Sequence, residues 1–530
     1  MSDRRAAGYY PPAVATYGDV APPARDRSPQ VRAQHQIGDA AITVDVGNET
    51  ELLDDGVLLR GDPVRVEAPA PVVSFFRHGW QSWTPTGWVK PTDRPLLAPP
   101  DKVEPGGDDP GYSDRRRHGG NAVGAIECDD GKVLLLGALG LGGRVEVADD
   151  GTMTGEHEGG GGDWFVAYGD EVDVFGRYAA ALGEHVGARK RPTPTVWCSW
   201  YSLYRDITEE NLLEALAGVD GLGFDAFQID DGWEQAIGDW HPNTDFPSGM
   251  DGMADRIRTA GYIPGLWIAP FIVSEDSELF RDHPELCLRT SNGAPVSAGV
   301  NWGGPFYGLD VTHPGTQEFV IDLIRRAVAW GYTYLKLDFI YGAALPGRRH
   351  EDMPREEAYR RGVELMREAA GEDIYLLACG APIVPSLGVF DGIRIGPDVA
   401  PYWEDRSGRR HLQDLSMPNT RSAIATSVHR AWLHPLIDID PDVAYFRTQH
   451  NDLDARQRAL LQDLATICGF RATSDPPAWL QPAERERLAA FLAEQPEVRR
   501  LSRYCFVIDD RVVDFAAVAS PASGWPTVVT

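Results

Sequence analysis

Polar and apolar residues alternate along much of the first third of the chain. The runs Ile42-Thr43-Val44-Asp45-Val46 and Arg144-Val145-Glu146-Val147 are examples, and Gly, Asp and Pro residues separate such runs. A period of two is typical of strands with one buried face, because successive side chains point to opposite sides of a sheet. We predict an N-terminal β-sandwich with its linker over residues 33–190. Residues 1–32 show no sustained periodicity and are interpreted as a mobile arm.

The pattern changes after residue 190, where apolar runs alternate with amphipathic helical segments. Strands are predicted at Val196–Ser202, Phe224–Gln228, Tyr262–Ala269, Tyr334–Phe339, Ile374–Ala378, Gly392–Ile395, Leu433–Ile437 and Gly469–Ala472. This alternation predicts a (β/α)8 TIM barrel over residues 191–481. A doubly wound sheet is the alternative, but it usually has fewer strands and a glycine fingerprint after the first one. Residues 482–530 predict a short helix and a β-rich segment.

Charged and aromatic residues occur at the carboxyl ends of the predicted barrel strands, where such barrels hold their active sites. In strand order these residues are Trp200, Asp230, Asp231, Trp267, Lys336, Asp338, Cys379, Arg394, Asp398, Asp438 and Asp440. Lys336 and Asp338 lie two residues apart, so their side chains point to the same side of the strand. A core ion pair between them is the structural alternative. A set rich in carboxylates and tryptophans but poor in histidines indicates a neutral polyol ligand.

Two of these carboxylates form a candidate catalytic pair, because glycoside hydrolysis requires one on each side of the scissile bond. The cation of Lys336 would favour the ionised form of Asp338, which suits a nucleophile. An apolar wall beside Asp398, in the run that begins at Val399, would favour the neutral acid, which suits a general acid. We expect neither a metal nor a cofactor, because no histidine cluster or third carboxylate stands at ligand spacing near Asp230 and Asp231.

Three tryptophans lie close together in the predicted sandwich, at positions 80, 83 and 88. An aromatic cluster of this kind serves either as a packed interface between domains or as a platform for the apolar face of a sugar ring. The sequence leaves both interpretations open.

The net charge of −29 argues against nucleic acids and anionic membranes as partners. The acidic excess is accompanied by basic residues that are mostly arginine, which indicates either adaptation to high salt or a GC-rich genome. The chain has no apolar run long enough to span a membrane and no apolar region after Met1 that would indicate a secretory signal. Six scattered cysteines favour the reducing cytoplasm.

Several motifs resemble glycoside hydrolase family 36, the α-galactosidases, in its compact bacterial or archaeal type. In chain order the motifs are Gly79-Trp80-Gln81-Ser82-Trp83, Cys198-Ser199-Trp200-Tyr201, Gln228-Ile229-Asp230-Asp231-Gly232-Trp233, Gly238-Asp239-Trp240, Gly265-Leu266-Trp267-Ile268-Ala269-Pro270-Phe271, Lys336-Leu337-Asp338-Phe339 and Arg394-Ile395-Gly396-Pro397-Asp398. Each motif is weak alone, but their common order makes the resemblance specific over roughly residues 70–480.

The resemblance implies a retaining exo-α-galactosidase that acts on terminal α-linked galactose in oligosaccharides. The resemblance implies that Asp338 is the nucleophile and that Asp398 is the acid and base. Hydroxyl contacts are implied for Asp230 and Asp231 (the 4- and 6-hydroxyls) and for Lys336 (the 3- and 4-hydroxyls), with Arg394 and Cys379 near the 2-hydroxyl. Trp267 and Trp200 are implied as walls of the sugar ring, and Trp80 or Trp83 as a cover that reaches the pocket from the sandwich. In longer relatives a Cys-Ser-Gly-Gly run stands where this chain has Cys379-Gly380-Ala381-Pro382, and this departure bears on the polar contacts around the 2-hydroxyl and on the exclusion of a 2-acetamido group.

Three other functions stay open at this point. Galactosyl transfer, as in raffinose-synthase relatives, and α-N-acetylgalactosaminidase activity use related chemistry. An inactive sugar-binding protein is the alternative of another class, and the complete carboxylate pair argues against it. A retaining mechanism predicts that the carboxyl groups of Asp338 and Asp398 lie about 5–5.5 Å apart. The sequence does not decide the oligomeric state.

Overall fold

The computed structural model describes residues 31–37, 40–46, 50–53, 56–93, 108–110, 118–148, 150–404 and 415–525. The predicted mobile arm at residues 1–32 therefore lies almost entirely outside the described residues. The first described strand begins at Val31.

The N-terminal region consists of two antiparallel sheets. Its strands are β1 (Val31–Ile37), β2 (Ala40–Val46), β3 (Thr50–Leu53), β4 (Gly56–Arg60), β5 (Val64–Glu67), β6 (Val72–Arg77), β7 (Gly87–Val89), β8 (His118–Asn121), β9 (Val123–Cys128), β10 (Val133–Ala138), β11 (Gly143–Val147), β12 (Thr152–His157) and β13 (Asp163–Gly169). The six-stranded sheet has the order β1-β2-β5-β12-β11-β8, and the seven-stranded sheet has the order β3-β4-β13-β10-β9-β6-β7. Apolar residues from both sheets, among them Val44, Val66 and Trp164, form one core. The predicted sandwich is confirmed.

The seven-stranded sheet is buried on both faces except at its edge strand β3. All residues of β10 are buried, as expected for a strand without a solvent-facing side. One face packs on the six-stranded sheet, and the other packs on helix α1 (Glu171–Val186) and on the barrel. Gly137 leaves room for the ring of Tyr178 in α1, where a Cβ atom would collide. The sandwich is therefore joined to the barrel through a continuous apolar core.

Strands and helices alternate through the region that follows α1. Its strands are β14 (Val196–Cys198), β15 (Ala226–Ile229), β16 (Glu234–Ala236), β17 (Asp239–Pro242), β18 (Ile263–Ile268), β19 (Ile272–Ser274), β20 (Ser297–Asn301), β21 (Gly304–Gly308), β22 (Tyr334–Leu337), β23 (Tyr375–Ala378), β24 (Gly392–Arg394), β25 (Asp438–Asp440) and β26 (Ala472–Thr473). Its helices are α2 (Trp200–Leu203), α3 (Glu209–Gly218), α4 (Gly249–Thr259), α5 (Glu278–Asp282), α6 (Pro314–Ala329), α7 (Arg355–Ala370), α8 (Ile383–Ser386), α9 (Thr420–His429) and α10 (Ala455–Cys468).

Eight parallel strands form the barrel sheet, in the order β25-β24-β23-β22-β18-β15-β14-β26. The amide of Ala444, in the segment after β25, donates to the carbonyl of Ala472 in β26 at 2.8 Å and links the two ends of this order. The predicted TIM-like architecture is confirmed. The carboxyl ends of the eight strands meet on one face, so the residues that follow them converge there.

The prediction of the seventh barrel strand at Leu433–Ile437 is wrong. Residues Ala431–Leu433 form a 3-10 turn, and the amide of Ile437 bonds the carbonyl of Leu433 in a helical pattern. The strand is Asp438–Asp440. A short buried apolar run has the same composition in a helical turn and in a strand, so its periodicity does not distinguish the two.

The chain continues beyond the barrel with helix α11 (Pro482–Ala493), the small sheet of β27 (Val498–Arg500), β28 (Cys505–Ile508) and β29 (Arg511–Asp514), and the short helix α12 (Ala516–Ala519). Within the described ranges, none of the helices combines the length and the apolar character needed to cross a bilayer.

Candidate active site

Asp338 follows β22 directly, at the carboxyl-end face of the barrel. Its Oδ2 atom accepts a hydrogen bond from Trp267 Nε1 at 3.0 Å, and its Oδ1 atom accepts one from the amide of Phe339 at 2.7 Å. Burial raises the pKa of Asp338, whereas Lys336 and the Trp267 hydrogen bond oppose the rise. The sequence predicted that the neighbouring cation would dominate, but desolvation is the larger effect at this depth.

Lys336 pairs with Asp230 across the barrel interior. Its Nζ atom lies 2.9 Å from Asp230 Oδ2, and both side chains are buried. Gln228 Nε2 donates to the same oxygen at 2.6 Å, and the amide of Asp230 donates to Ser199 Oγ at 2.9 Å. The structural alternative was a core ion pair between Lys336 and Asp338. Lys336 instead pairs with Asp230, and this pair joins β22 to the end of β15.

Asp398 lies in a polar setting rather than against the predicted apolar wall. Its Oδ1 atom accepts hydrogen bonds from Arg394 Nη1 and from the Tyr201 hydroxyl, each at 3.0 Å. Arg394 also pairs with Asp440 and Asp442, at 3.0 Å in each case. The Asp398 side chain is 31% exposed, whereas those of Asp440 and Asp442 are 2% and 0% exposed. Of the three carboxylates around Arg394, Asp398 is therefore the one that reaches the open site.

Asp231 is held by residues from two different segments. Trp302 Nε1 donates to its Oδ2 atom at 2.8 Å, and Arg205 Nε lies 3.4 Å from its Oδ1 atom. Burial and the nearby carboxylate of Glu234 raise the pKa of Asp231 well above its ordinary value, whereas Arg205 and Trp302 lower it. Two adjacent buried carboxyl groups disfavour double ionisation, so this pair holds a proton more readily than an isolated carboxylate does.

The aromatic residues divide between the pocket and the core. Trp83 is half-buried, and its ring centroid lies 5.1 Å from that of Phe339, the residue after Asp338. Trp80 is 1% exposed, and its ring faces the Arg355 guanidinium at 5.1 Å. Trp83 is therefore the sandwich residue beside the carboxylate, and the structure does not bring Trp80 into that group.

The remaining predicted residues lie at the same face, with the exception of Asp438. Trp267 is buried and bonds Asp338, whereas Trp200 is half-buried at the start of α2, edge-on to Tyr204 at 5.4 Å. Cys379 follows β23 and is buried, and burial together with the charge of Asp338 raises the pKa of its thiol. Asp438 is different, because it begins β25 at the opposite end of the barrel, where Thr193 donates to it at 2.6 Å.

Sequence reasoning did not select Trp302, Glu234 or Asp442. Trp302 occupies the tip of the β20–β21 hairpin with a φ of 50°, and no periodic signal marks that hairpin. Glu234 begins β16 three residues after Asp231, and Asp442 follows Asp440 by two residues, so an inspection of acidic residues near the strand ends could have found both. Among the described residues, no group of three His, Cys, Asp or Glu side chains is arranged to hold a metal.

Comparisons with known proteins agree with this geometry. A model of the melibiase family matches residues 175–365. With a TM-score of 0.87 and 46% identity, 92% of the chain superposes on the whole of an α-galactosidase from Thermus thermophilus whose structure contains p-nitrophenyl α-D-galactopyranoside. The GH36 α-galactosidase AgaA from Geobacillus stearothermophilus gives a TM-score of 0.57 at 17% identity, with 86% of this chain and 67% of that chain covered, and this likeness concerns the fold alone.

Among curated proteins, AgaA from Geobacillus stearothermophilus is 32% identical over 194 residues, which make up 34% of this chain and 25% of that protein. The chain thus spans about a quarter of the length of this curated relative. The Thermus relative, in contrast, is matched over 100% of its length. The resemblance indicated by the ordered sequence motifs is confirmed. The chain belongs to the melibiase family, glycoside hydrolase family 36.

Proposed function

We propose that the protein is an exo-acting α-galactosidase that hydrolyses terminal α-linked galactose from oligosaccharides. The observation that carries this proposal is the pair of carboxylates, Asp338 and Asp398, on one barrel face with distinct hydrogen-bond partners. The Thermus relative supports the substrate class, because its structures contain p-nitrophenyl α-D-galactopyranoside in one case and stachyose in another.

The proposed reaction is a double displacement. The Asp338 carboxylate attacks the anomeric carbon, the glycosidic bond breaks, and Asp398 gives its proton to the leaving oxygen. Asp398 then takes a proton from a water molecule, which attacks the anomeric carbon and releases Asp338. The hydrogen bonds from Trp267 and the Phe339 amide fix the orientation of Asp338 before the attack.

The proposed sugar site uses the residues around this pair. Lys336, Asp230 and Asp231 contact hydroxyl groups, Cys379 lies near the 2-hydroxyl, and the ring walls are Trp200, Trp267 and Trp83. Arg394 is assigned mainly to positioning Asp398, since its donors already bond Tyr201 and three carboxylates. Asp231 and Glu234 share a buried setting in which a protonated carboxyl can donate to a hydroxyl oxygen.

Loss of the nucleophile gives the first test. Asp338→Gly is expected to abolish galactose release from 4-nitrophenyl α-galactoside, because no covalent intermediate can form. Asp438→Asn is the matched control, since this buried aspartate lies at the opposite end of the barrel and the amide can still accept the bond from Thr193. Activity that survives in Asp338→Gly would contradict the assignment.

The stereochemistry gives the second test. A retaining enzyme releases α-galactose first, and proton NMR during the first minutes of turnover distinguishes it from the β-anomer. We expect initial α-galactose, and a galactose complex in which the carboxyl groups of Asp338 and Asp398 lie about 5–5.5 Å apart. Initial β-galactose and a separation of ~9 Å would indicate inversion.

Product analysis separates the remaining alternatives. Turnover with sucrose as acceptor is expected to yield mainly free galactose, whereas a galactosylated acceptor as main product would favour the transferase. A 4-nitrophenyl α-N-acetylgalactosaminide should be a poor substrate.

All six cysteines carry free thiols, and we keep the cytoplasm as the proposed location.

A further inference from the structure

A loop of the sandwich, residues 79–86 between β6 and β7, reaches the catalytic face of the barrel. Its polar side chains at Gln81, Ser82, Thr84 and Thr86 are each 0% exposed. A buried loop leaves backbone carbonyls without water, so each of them requires a partner from the protein. The residue that donates hydrogen bonds to these carbonyls therefore holds the loop in place.

Arg430, which follows α9, supplies most of these partners. It is 0% exposed. Its Nη1 atom donates to the carbonyls of Ser82 at 2.6 Å and Ile395 at 2.9 Å, and its Nη2 atom donates to the carbonyls of Gly79 at 3.0 Å, Gln81 at 2.8 Å and Thr84 at 3.1 Å. No ion pair between Arg430 and a carboxylate occurs among the described residues. The planar guanidinium, with several donors in a fixed geometry, suits this set of carbonyls better than a lysine would.

The loop held by Arg430 is also bonded to the residues next to Asp338. The amide of Ser82 donates to the carbonyl of Ala381 at 3.1 Å, and the amide of Ala381 donates back to Ser82 Oγ at 3.1 Å. Gly380, just before, has a φ of 51°, and a Cβ atom there would lie 3.0 Å from the Trp83 ring and 3.1 Å from Asp338 Oδ1. Trp83, Gly380 and Asp338 therefore meet without spare room, and a shift of the loop would change the pocket wall.

We infer that Arg430 is a positioning residue, which fixes the sandwich loop through four of its carbonyls and thereby holds Trp83 as a wall of the galactoside site. This role rests on the proposed function, since it concerns the same pocket. Arg430 acts through Trp83 and through the carbonyl of Ile395, which follows Arg394. It does not itself contact the reacting atoms.

A double-mutant cycle tests the role. Arg430→Met and Trp83→Ala are each expected to raise the KM for 4-nitrophenyl α-galactoside by about tenfold or more, with a smaller change in kcat, because both remove the same wall of the binding site. The double variant should have a KM within about twofold of the worse single variant, since residues that act as a unit are not additive. Losses that multiply would overturn the role, as would a wild-type KM in Arg430→Met.

Arg367→Met is the matched control. Arg367 is also buried and donates to carbonyls, those of Val389, Ile374 and Gly371, although unlike Arg430 it also pairs with a carboxylate, that of Asp391, and it lies on α7 at the other end of the barrel. Its loss should lower the melting temperature, and its effect on KM should multiply with that of Trp83→Ala. If Arg430→Met does not fold, Arg430→Lys replaces it in the cycle. The lysine keeps the charge but cannot reach all five carbonyls, and a wild-type KM in this variant would overturn the role.

The proposed function and the positioning role fail in different ways. If the wild type turns over the substrate but the KM effects of Arg430→Met and Trp83→Ala multiply in the double variant, only the role of Arg430 is overturned. If the wild type shows no turnover, the same cycle is measured as the Kd for galactose by titration calorimetry, and coupled losses there support the role without the activity. Absence of both turnover and galactose binding would overturn both.

Discussion

Asp442 determines much of the charge balance beside Asp398. It pairs with Arg394 at 3.0 Å, and its Oδ2 atom accepts a bond from the amide of Val399, the residue after Asp398, at 2.9 Å. Its φ of 86° is rare for an aspartate and is held by these surroundings. Burial raises the pKa of Asp442 to about 7, with Arg394 opposing the rise and with Asp398 and Asp440 adding to it. The residue therefore changes its charge near neutral pH.

Replacement of Asp442 is expected to change the pH dependence of stability. The folded protein keeps the proton of Asp442 up to its pKa of about 7, whereas the unfolded chain loses it near the ordinary value of about 3.9. Between these values the folded state binds more protons, so this group makes the free energy of unfolding fall as the pH rises, by up to about 1.4 kcal/mol per pH unit. In Asp442→Asn this fall should disappear.

Urea unfolding at several pH values between about 4 and 7 measures this slope for the wild type and for Asp442→Asn. Asp255→Asn is the control, because this aspartate has a side chain that is 66% exposed on α4. Equal slopes in the wild type and Asp442→Asn would show that Asp442 does not retain its proton in the folded protein.

Among the elements, the β20–β21 hairpin contributes most to the site without being predictable from the sequence. Its tip residue Trp302 bonds Asp231, and its ring centroid lies 5.2 Å from that of Phe339. The hairpin thereby joins the end of β15 to the residue after Asp338. It lies between the third and fourth barrel strands, where an insertion changes the site without changing the barrel.

Trp302→Phe is expected to raise the KM for 4-nitrophenyl α-galactoside by about tenfold. The phenylalanine keeps the aromatic contact to Phe339 but removes the hydrogen bond to Asp231, and leaving a buried polar atom without its partner costs about 1–3 kcal/mol. Initial-rate kinetics over a range of substrate concentrations measure the effect. Tyr307→Phe is the control on the same hairpin, since Tyr307 stacks on Phe280 away from the site. An unchanged KM in Trp302→Phe would mean that Asp231 is oriented by other groups.

The same elements show which features the sequence can predict. Strand β22 was predictable, and so was the common side to which its charged side chains point, because Lys336 and Asp338 stand two apart in an apolar run. Most of the other barrel strands were predictable from similar apolar runs. The seventh strand was not, because the apolar residues near Leu433 fit a helical turn equally well. The choice between Trp80 and Trp83 depends on contacts with residues distant in the chain, Arg355 for Trp80 and Phe339 for Trp83, and a single sequence contains no signal for such contacts.

At the scale of the whole molecule, the sandwich and the barrel share one apolar core. Phe76 and Trp88 of the seven-stranded sheet are 2% and 0% exposed, and Trp432, beyond α9, is 5% exposed. Buried polar groups cross the same boundary. Glu356 of α7 accepts hydrogen bonds from Asn121 Nδ2 at 3.1 Å and from the Gly142 amide at 2.6 Å, both in the sandwich. Separation of the two parts would therefore expose a large apolar surface on each of them.

Deletion of residues 1–187 is therefore expected to leave a barrel that neither folds to a soluble monomer nor releases galactose. The deletion removes α1 and the sheet from the apolar surface around Trp432, and it also removes the loop that carries Trp83. Size-exclusion chromatography, near-UV circular dichroism and hydrolysis of 4-nitrophenyl α-galactoside measure the three consequences. Deletion of residues 1–30, which removes the predicted mobile arm (residues 1–32) up to the start of β1, is the matched control and should preserve all three properties. A soluble and active barrel from the longer deletion would show that the shared core is dispensable, and that Trp83 is not needed for binding.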